Sequence, residues 1–375
     1  MSKRFYFQLL LPLCFIAITC QAQNGQPNSL NIGDPAPPLR VREWLKGTSI
    51  EQFEKGTVYV LEFWATWCRP CKAAIPHLSI LAGEYKDRVT ILGIDVYENK
   101  STSIEKVKAF VDSMGTRMDY HVAADDSNFM VAGWLNASGE QGIPQSFVVN
   151  AEGKVAWIGH PKDLGKVLPD IVNNTWDIKE VLARRNFDKH LKKLDNEASY
   201  QLPLYLGDPE KRGDLGKPEW ALLVINEITT KEPKLKYAPF IASHTFSSLL
   251  KTNLHEAYEY GKVAIVTSTY AYEVPAYDPI IADIKWYSDK LNLPAEIYWL
   301  GTQACQASID QITYPEIENP SRIYKQMAEW FWRINDKSKA IEAQQKAVEA
   351  LKSKEEFSVS EMAAFEFQLQ EYKKM

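Results

Sequence analysis

The stretch Val58-Tyr59-Val60-Leu61-Glu62-Phe63-Trp64-Ala65-Thr66-Trp67-Cys68-Arg69-Pro70-Cys71-Lys72 decides the fold. Its first eight residues form an almost continuous apolar, β-branched and aromatic run, the pattern of a central strand covered on both faces. From Lys72 to Tyr85, apolar residues fall at Ile75, Leu78, Leu81, Ala82 and Tyr85, which is helical spacing. The CxxC pair therefore sits in a strand-to-helix turn, with Cys68 at the positive end of a helix.

A chain of 375 residues exceeds one ordinary core and predicts two domains. Net charge is −5 with interspersed signs, which excludes a general nucleic-acid binder and leaves proteins or small thiols as partners. Residues 1–22 read as a secretory signal: Lys3 and Arg4, an apolar stretch from Phe5 to Ile18, then Thr19-Cys20-Gln21-Ala22. Cleavage after Ala22 makes the protein periplasmic. The competing reading lipidates Cys20 and anchors the chain to a membrane, although Thr19 is an unusual residue before such a cysteine. Either cleavage removes Cys14, and the favoured one leaves Cys68, Cys71 and Cys305, too few for a structural disulfide framework. In an exported protein, where disulfides are permitted, one close pair points to a pair that cycles. Cys305, in the apolar helical stretch Trp299 to Ile309, reads as an inert buried thiol.

Between 31 and 175, strand-like and helix-like segments alternate. Strands are expected near Leu39–Leu45, at 58–65, at 89–96 and near Tyr120–Ala123, with helices from Ser103 to Met114 and over Asn128–Leu135. Ser146–Asn150 and Val155–Ile158, joined by Glu152-Gly153-Lys154, read as a hairpin followed by a helix near 163–173. The implied architecture is α/β, a central mixed sheet flanked by helices. Residues 176–218 read as a helical linker and loop, and 219–375 as an all-α helical-hairpin domain. Within it Tyr324, Ala328, Phe331, Ala340 and Ala347 occupy positions that a tetratricopeptide repeat reserves for aromatic and small residues, and Ala257 and Ala264 echo the spacing. Plain helix packing explains the same pattern nearly as well.

A dithiol exchanger needs an exposed, ionised attacking thiol and a shielded resolving thiol. At a helix-starting CxxC the first cysteine meets the free backbone N–H groups, so Cys68 is the attacker and Cys71 the resolver. The helix terminus and Arg69 favour thiolate, and a fall from about 8.5 toward 7 corresponds to roughly 2 kcal/mol. Pro70 stiffens the turn where its missing N–H costs nothing.

Glu62 to Lys72 resembles the signature of the thioredoxin-like superfamily, with Pro76 matching its helix-kinking proline. The segment Gly142-Ile143-Pro144-Gln145-Ser146-Phe147-Val148-Val149-Asn150 is similar to that family's cis-proline loop and following strand. The signal segment, the Ile32-Gly33-Asp34-Pro35-Ala36-Pro37 opening and the insertion over 97–135 resemble the exported TlpA and ResA branch of thiol-disulfide oxidoreductases. The resemblance covers about 32–172. It implies a cis Pro144 beside the disulfide, Ile143 pairing its backbone with an extended substrate, and Trp67 flanking the recognition surface. It also implies that Glu62 is a buried acid exchanging a proton with the resolving cysteine, which desolvation would favour near neutrality. Where the ResA-like branch has a glutamate three residues after the second cysteine, this chain has Ala74, which removes the basis for inferring apocytochrome reduction.

No cofactor beyond the Cys68/Cys71 disulfide is expected, and no metal, since the histidines at 77, 121, 160, 190, 244 and 255 lack ligand spacing. The leading reading is a protein-disulfide reductase served by an upstream electron donor. A peroxidase of the related redoxin type would need Thr or Ser at Ala65. A third reading makes the helical half an adaptor that binds a partner, with the thioredoxin-like half as a docking or redox-sensing module.

Overall fold

The 58–64 run is fully buried because every residue in it is covered, Val58, Val60, Glu62 and Trp64 on one face and Tyr59, Leu61 and Phe63 on the other. This is β2 (Val58–Trp64) of the protein's computed structural model, which describes residues 29–202, 205, 216–270, 275–312, 319–354 and 357–374. The predicted signal segment, with Cys14 and Cys20, lies outside the described residues, as does part of the 176–218 linker and loop.

Six strands form one mixed sheet in the order β1-β4-β3-β2-β5-β6. They are β1 (Val41–Lys46), β2, β3 (Val89–Asp95), β4 (His121–Asp125), β5 (Gln145–Val149) and β6 (Val155–Gly159). The three central strands β2, β3 and β4 are parallel; β1, β5 and β6 pair antiparallel. Parallel neighbours need crossovers, supplied by α1 (Arg69–Glu84) between β2 and β3 and by α2 (Ile104–Met114) between β3 and β4. The β5–β6 hairpin closes on Gly153 at φ +80, where Asn150 Oδ1 accepts the Glu152 and Lys154 N–H groups.

α1, α2 and α3 (Leu164–Val172) cover one face of the sheet. The other face is covered by residues 30–32, a π-helical segment Val131–Asn136 and the start of α4 (Ile178–Gln201). The helix expected over Asn128–Leu135 is therefore partly π, a wider turn that packs Val131, Trp134 and Leu135 together onto the sheet. Residues 178–201 are likewise more than the linker expected: Ile178, Val181 and Leu182 pack on the sheet at i, i+3 and i+4 spacing.

Beyond α4 the described residues are helical: α5 (Pro218–Lys231), α6 (Pro239–Thr252), α7 (Leu254–Ala264), α8 (Tyr277–Tyr287), α9 (Ala295–Asp310), α10 (Ser321–Arg333), α11 (Lys337–Lys352) and α12 (Val359–Lys374). Small residues sit where helices approach: Ala257 and Ala264 in α7, and Ala328, Ala340 and Ala347 across the α10–α11 pair, are all fully buried. α4 also caps this half, since Asp195 accepts the Phe240 and Ile241 N–H groups at 3.2 and 3.0 Å at the start of α6.

Candidate active site

Cys68 is the N-cap of α1 and Cys71 lies one turn inward, a spacing that brings their sulfurs into a disulfide. The Cys71 N–H points at Cys68 Sγ at 3.2 Å, so the first sulfur occupies the acceptor position of a helix N-terminus. Arg69 and Pro70 fill the first helical turn and are exposed; Cys71 is fully buried. The sequence predicted an exposed attacking sulfur. In the disulfide form Cys68 is only 3% exposed, because its sulfur is tied to a buried partner and lies 3.8 Å from the Ile143 carbonyl.

The Ile143–Pro144 peptide bond is cis and sits beside the disulfide. Trp67 stands 52% exposed next to Cys68, its indole N–H donating to the Tyr97 carbonyl at 2.9 Å. The preceding Thr66 donates through its backbone N–H and its hydroxyl to the Glu98 carboxylate. The insertion after β3 thus holds the turn that presents the cysteines.

Beneath α1, Glu62 is fully buried on the same sheet face as Cys71. Burial pushes its carboxyl well above the usual range. In register it opposes Gly93 on β3 and Ser146 on β5. Gly93 makes space: a Cβ there would lie 3.0 Å from Tyr120 Cε2 and 3.2 Å from Trp64 Nε1. Both Glu62 carboxylate oxygens, the Tyr120 hydroxyl, the Ser146 hydroxyl and the Trp64 indole nitrogen are buried without a hydrogen-bond partner in the protein. So many orphaned polar groups on one sheet face are unusual for a native interior, and two of them, Glu62 and Ser146, stand directly opposite each other on β2 and β5.

Asp95 ends β3 on the same face, and burial, followed by the Glu98 and Asp125 carboxylates, pushes it up to about 8. Sequence reading missed Asp95, Glu98, Tyr120 and Ser146, because strand register sets their proximity and no local motif does. His160 caps a short 3-10 turn by accepting the Lys162 N–H, and burial holds it down at about 4. Burial pushes the Cys305 thiol up, away from reactivity at neutral pH.

Residues 32–158 match the AhpC/TSA family model. Over 154 residues the chain is 34% identical to protein FixW of Rhizobium leguminosarum, covering 40% of this chain and 69% of that one. Over 189 residues it is 31% identical to the thiol:disulfide interchange protein DsbE of Pasteurella multocida (strain Pm70), covering 48% and 93%. The chain belongs to the thioredoxin-like thiol-disulfide oxidoreductase family. A third member of this family, the thiol-disulfide oxidoreductase ResA of Bacillus anthracis, is 34% identical over 128 residues, 34% of this chain and 68% of that one. Each of these matches covers less than half of the present oxidoreductase.

Proposed function

We propose that this protein is an exported oxidoreductase that reduces disulfides in protein substrates, with Cys68 attacking and Cys71 resolving. In this reading the Cys68 thiolate attacks one substrate sulfur and expels the other as thiolate. Cys71 then yields its proton to Glu62 and its thiolate attacks Cys68 Sγ, expelling the second substrate sulfur as thiolate. Two electrons pass to substrate and the protein is left as the Cys68–Cys71 disulfide. A donor dithiol returns it to the reduced form.

The observation that carries this reading is the N-cap position of Cys68, where a thiolate is stabilised by the Cys71 N–H and the helix terminus. Cys71, fully buried, is shielded until the mixed disulfide forms. Ile143 and cis Pro144 are assigned to substrate backbone pairing, Trp67 to the rim, and Arg69 and Pro70 to tuning the thiol. Residues 31–175 are the exchange unit, 176–218 the linker, and 219–375 the unit that selects substrate. The direction of exchange rests on a small energy balance, about 1.4 kcal/mol for each 30 mV.

Insulin-disulfide reduction with a dithiol donor tests the reading. Wild type should accelerate it and Cys68→Ser should abolish the acceleration, with a potential on the reducing side of about −200 mV. Retained activity in Cys68→Ser, or a potential near the about −120 mV of strong oxidants, would overturn it.

A further inference from the structure

The turn that delivers Cys68 is tied down at both of its central residues. The Cys68 N–H donates to the Ala65 carbonyl at 3.1 Å, closing a four-residue turn with Thr66 and Trp67 in the middle. Thr66 gives both of its donors to the Glu98 carboxylate, the N–H at 2.5 Å and the hydroxyl at 2.9 Å. Trp67 gives its indole N–H to the Tyr97 carbonyl at 2.9 Å. At the base of the turn the Val96 N–H donates to the Trp64 carbonyl at 2.9 Å. The residues that follow β3, Val96, Tyr97 and Glu98, thus grip the segment that leads into Cys68.

This grip has features that packing alone does not call for. Tyr97 lies at φ +57, in the left-handed region that a bulky side chain seldom adopts. Its ring packs with the cluster on the sheet face away from Cys71, while its carbonyl serves Trp67. Tyr97 and Glu98 also line a cavity of about 190 Å³, so hydrogen bonds hold them where close packing does not. What they hold is a large ring, half exposed beside a Cys68 that is itself buried. An indole of fixed orientation offers apolar contact area with little conformational entropy left to lose on binding.

We propose that Tyr97 and Glu98 form a clasp that pre-orients Trp67 as the platform for a substrate polypeptide, which makes Glu98 a positioning residue for substrate recognition. The proposal rests on the exchange reading above. Glu98 acts through Thr66 and Trp67, and its contribution is to binding, not to the sulfur chemistry. Releasing the clasp lets the indole leave the orientation that a substrate meets, so KM rises while exchange at Cys68 and Cys71 continues.

The test uses the full-length protein and compares insulin with neutral hydroxyethyl disulfide, a small molecule that has no polypeptide to lay on Trp67. Glu98→Ala should raise KM for insulin by about fivefold or more with kcat within about twofold, the signature of lost preorganisation. For hydroxyethyl disulfide the same variant should change kcat/KM by less than about twofold. Glu98→Gln keeps one acceptor oxygen and should recover part of the insulin KM. Thr66→Val removes one donor at nearly constant volume and should raise that KM by a smaller factor. Combined with Glu98→Ala it should add nothing further, because its partner is already gone. An unchanged insulin KM, an equal loss on both substrates, or additive effects in the double variant would overturn the clasp. Those outcomes leave the exchange reading standing when the wild type reduces both disulfides, whereas a wild type that reduces neither overturns both.

Discussion

At the residue scale two buried acids, Glu62 and Asp95, share the sheet face that α1 covers. Glu62 has a folded-state pKa raised by burial. For such a group the native state holds its proton more tightly than the unfolded chain, so stability falls as pH rises from the unfolded value toward the folded one. Each unit of difference amounts to about 1.4 kcal/mol. Glu62→Gln should therefore stabilise the protein more at pH 8 than at pH 5, read as a larger rise in Tm. The same variant should slow the resolving step by about a hundredfold or more near neutrality, as expected on losing a general base. A burst of mixed disulfide that resolves slowly checks this. Asp95, raised to about 8, follows the same sign. Asp95→Asn should flatten the decline of Tm between about pH 4 and pH 8, and an unchanged slope would contradict the assignment. Cys68, Cys71 and Glu62 were legible in the sequence because motif and strand placement are local. Tyr120 and Ser146 were not, since they meet Glu62 only through the β2–β3 and β2–β5 registers.

At the scale of elements, β2 and α1 follow directly from hydrophobic period, a buried run of seven residues passing into a 3.6-residue repeat at Cys68. The strand boundaries fall within one or two residues of those expected. α4 was only half legible. Its low amphipathicity reflects a helix that touches the sheet at one end and the helical half at the other, so its apolar face changes along its length. Asp195→Ala should expose that second role. Removing a nearly buried carboxylate that caps α6 should cost about 2 kcal/mol, measured by chemical denaturation, and a change below about 0.5 kcal/mol would refute the cap. Gly93→Ala tests the sheet side. Its Cβ would press on Tyr120 and Trp64, so about 1–3 kcal/mol of overpacking is expected.

Across the whole molecule, a thioredoxin-like sheet is followed by a helical extension, and the Cys68–Cys71 disulfide belongs to the sheet half. The family is legible in the chain because its chemistry is concentrated in Glu62–Cys71 and Ile143–Pro144. The helical half carries no comparable motif. Its small residues at 257, 264, 328, 340 and 347 specify close packing, and packing alone names no partner. What links the halves is α4, through Arg185 and Lys189 on the loop before Pro144 and through Asp195 on α6. The central claim, that Cys68 attacks and Cys71 resolves, is tested most directly by mass spectrometry of the full-length Cys71→Ser protein after exposure to a disulfide peptide. The account predicts a stable adduct on Cys68 approaching one per chain, and none on Cys305. No adduct on Cys68, or faster capture by Cys71 in the Cys68→Ser protein, would contradict it.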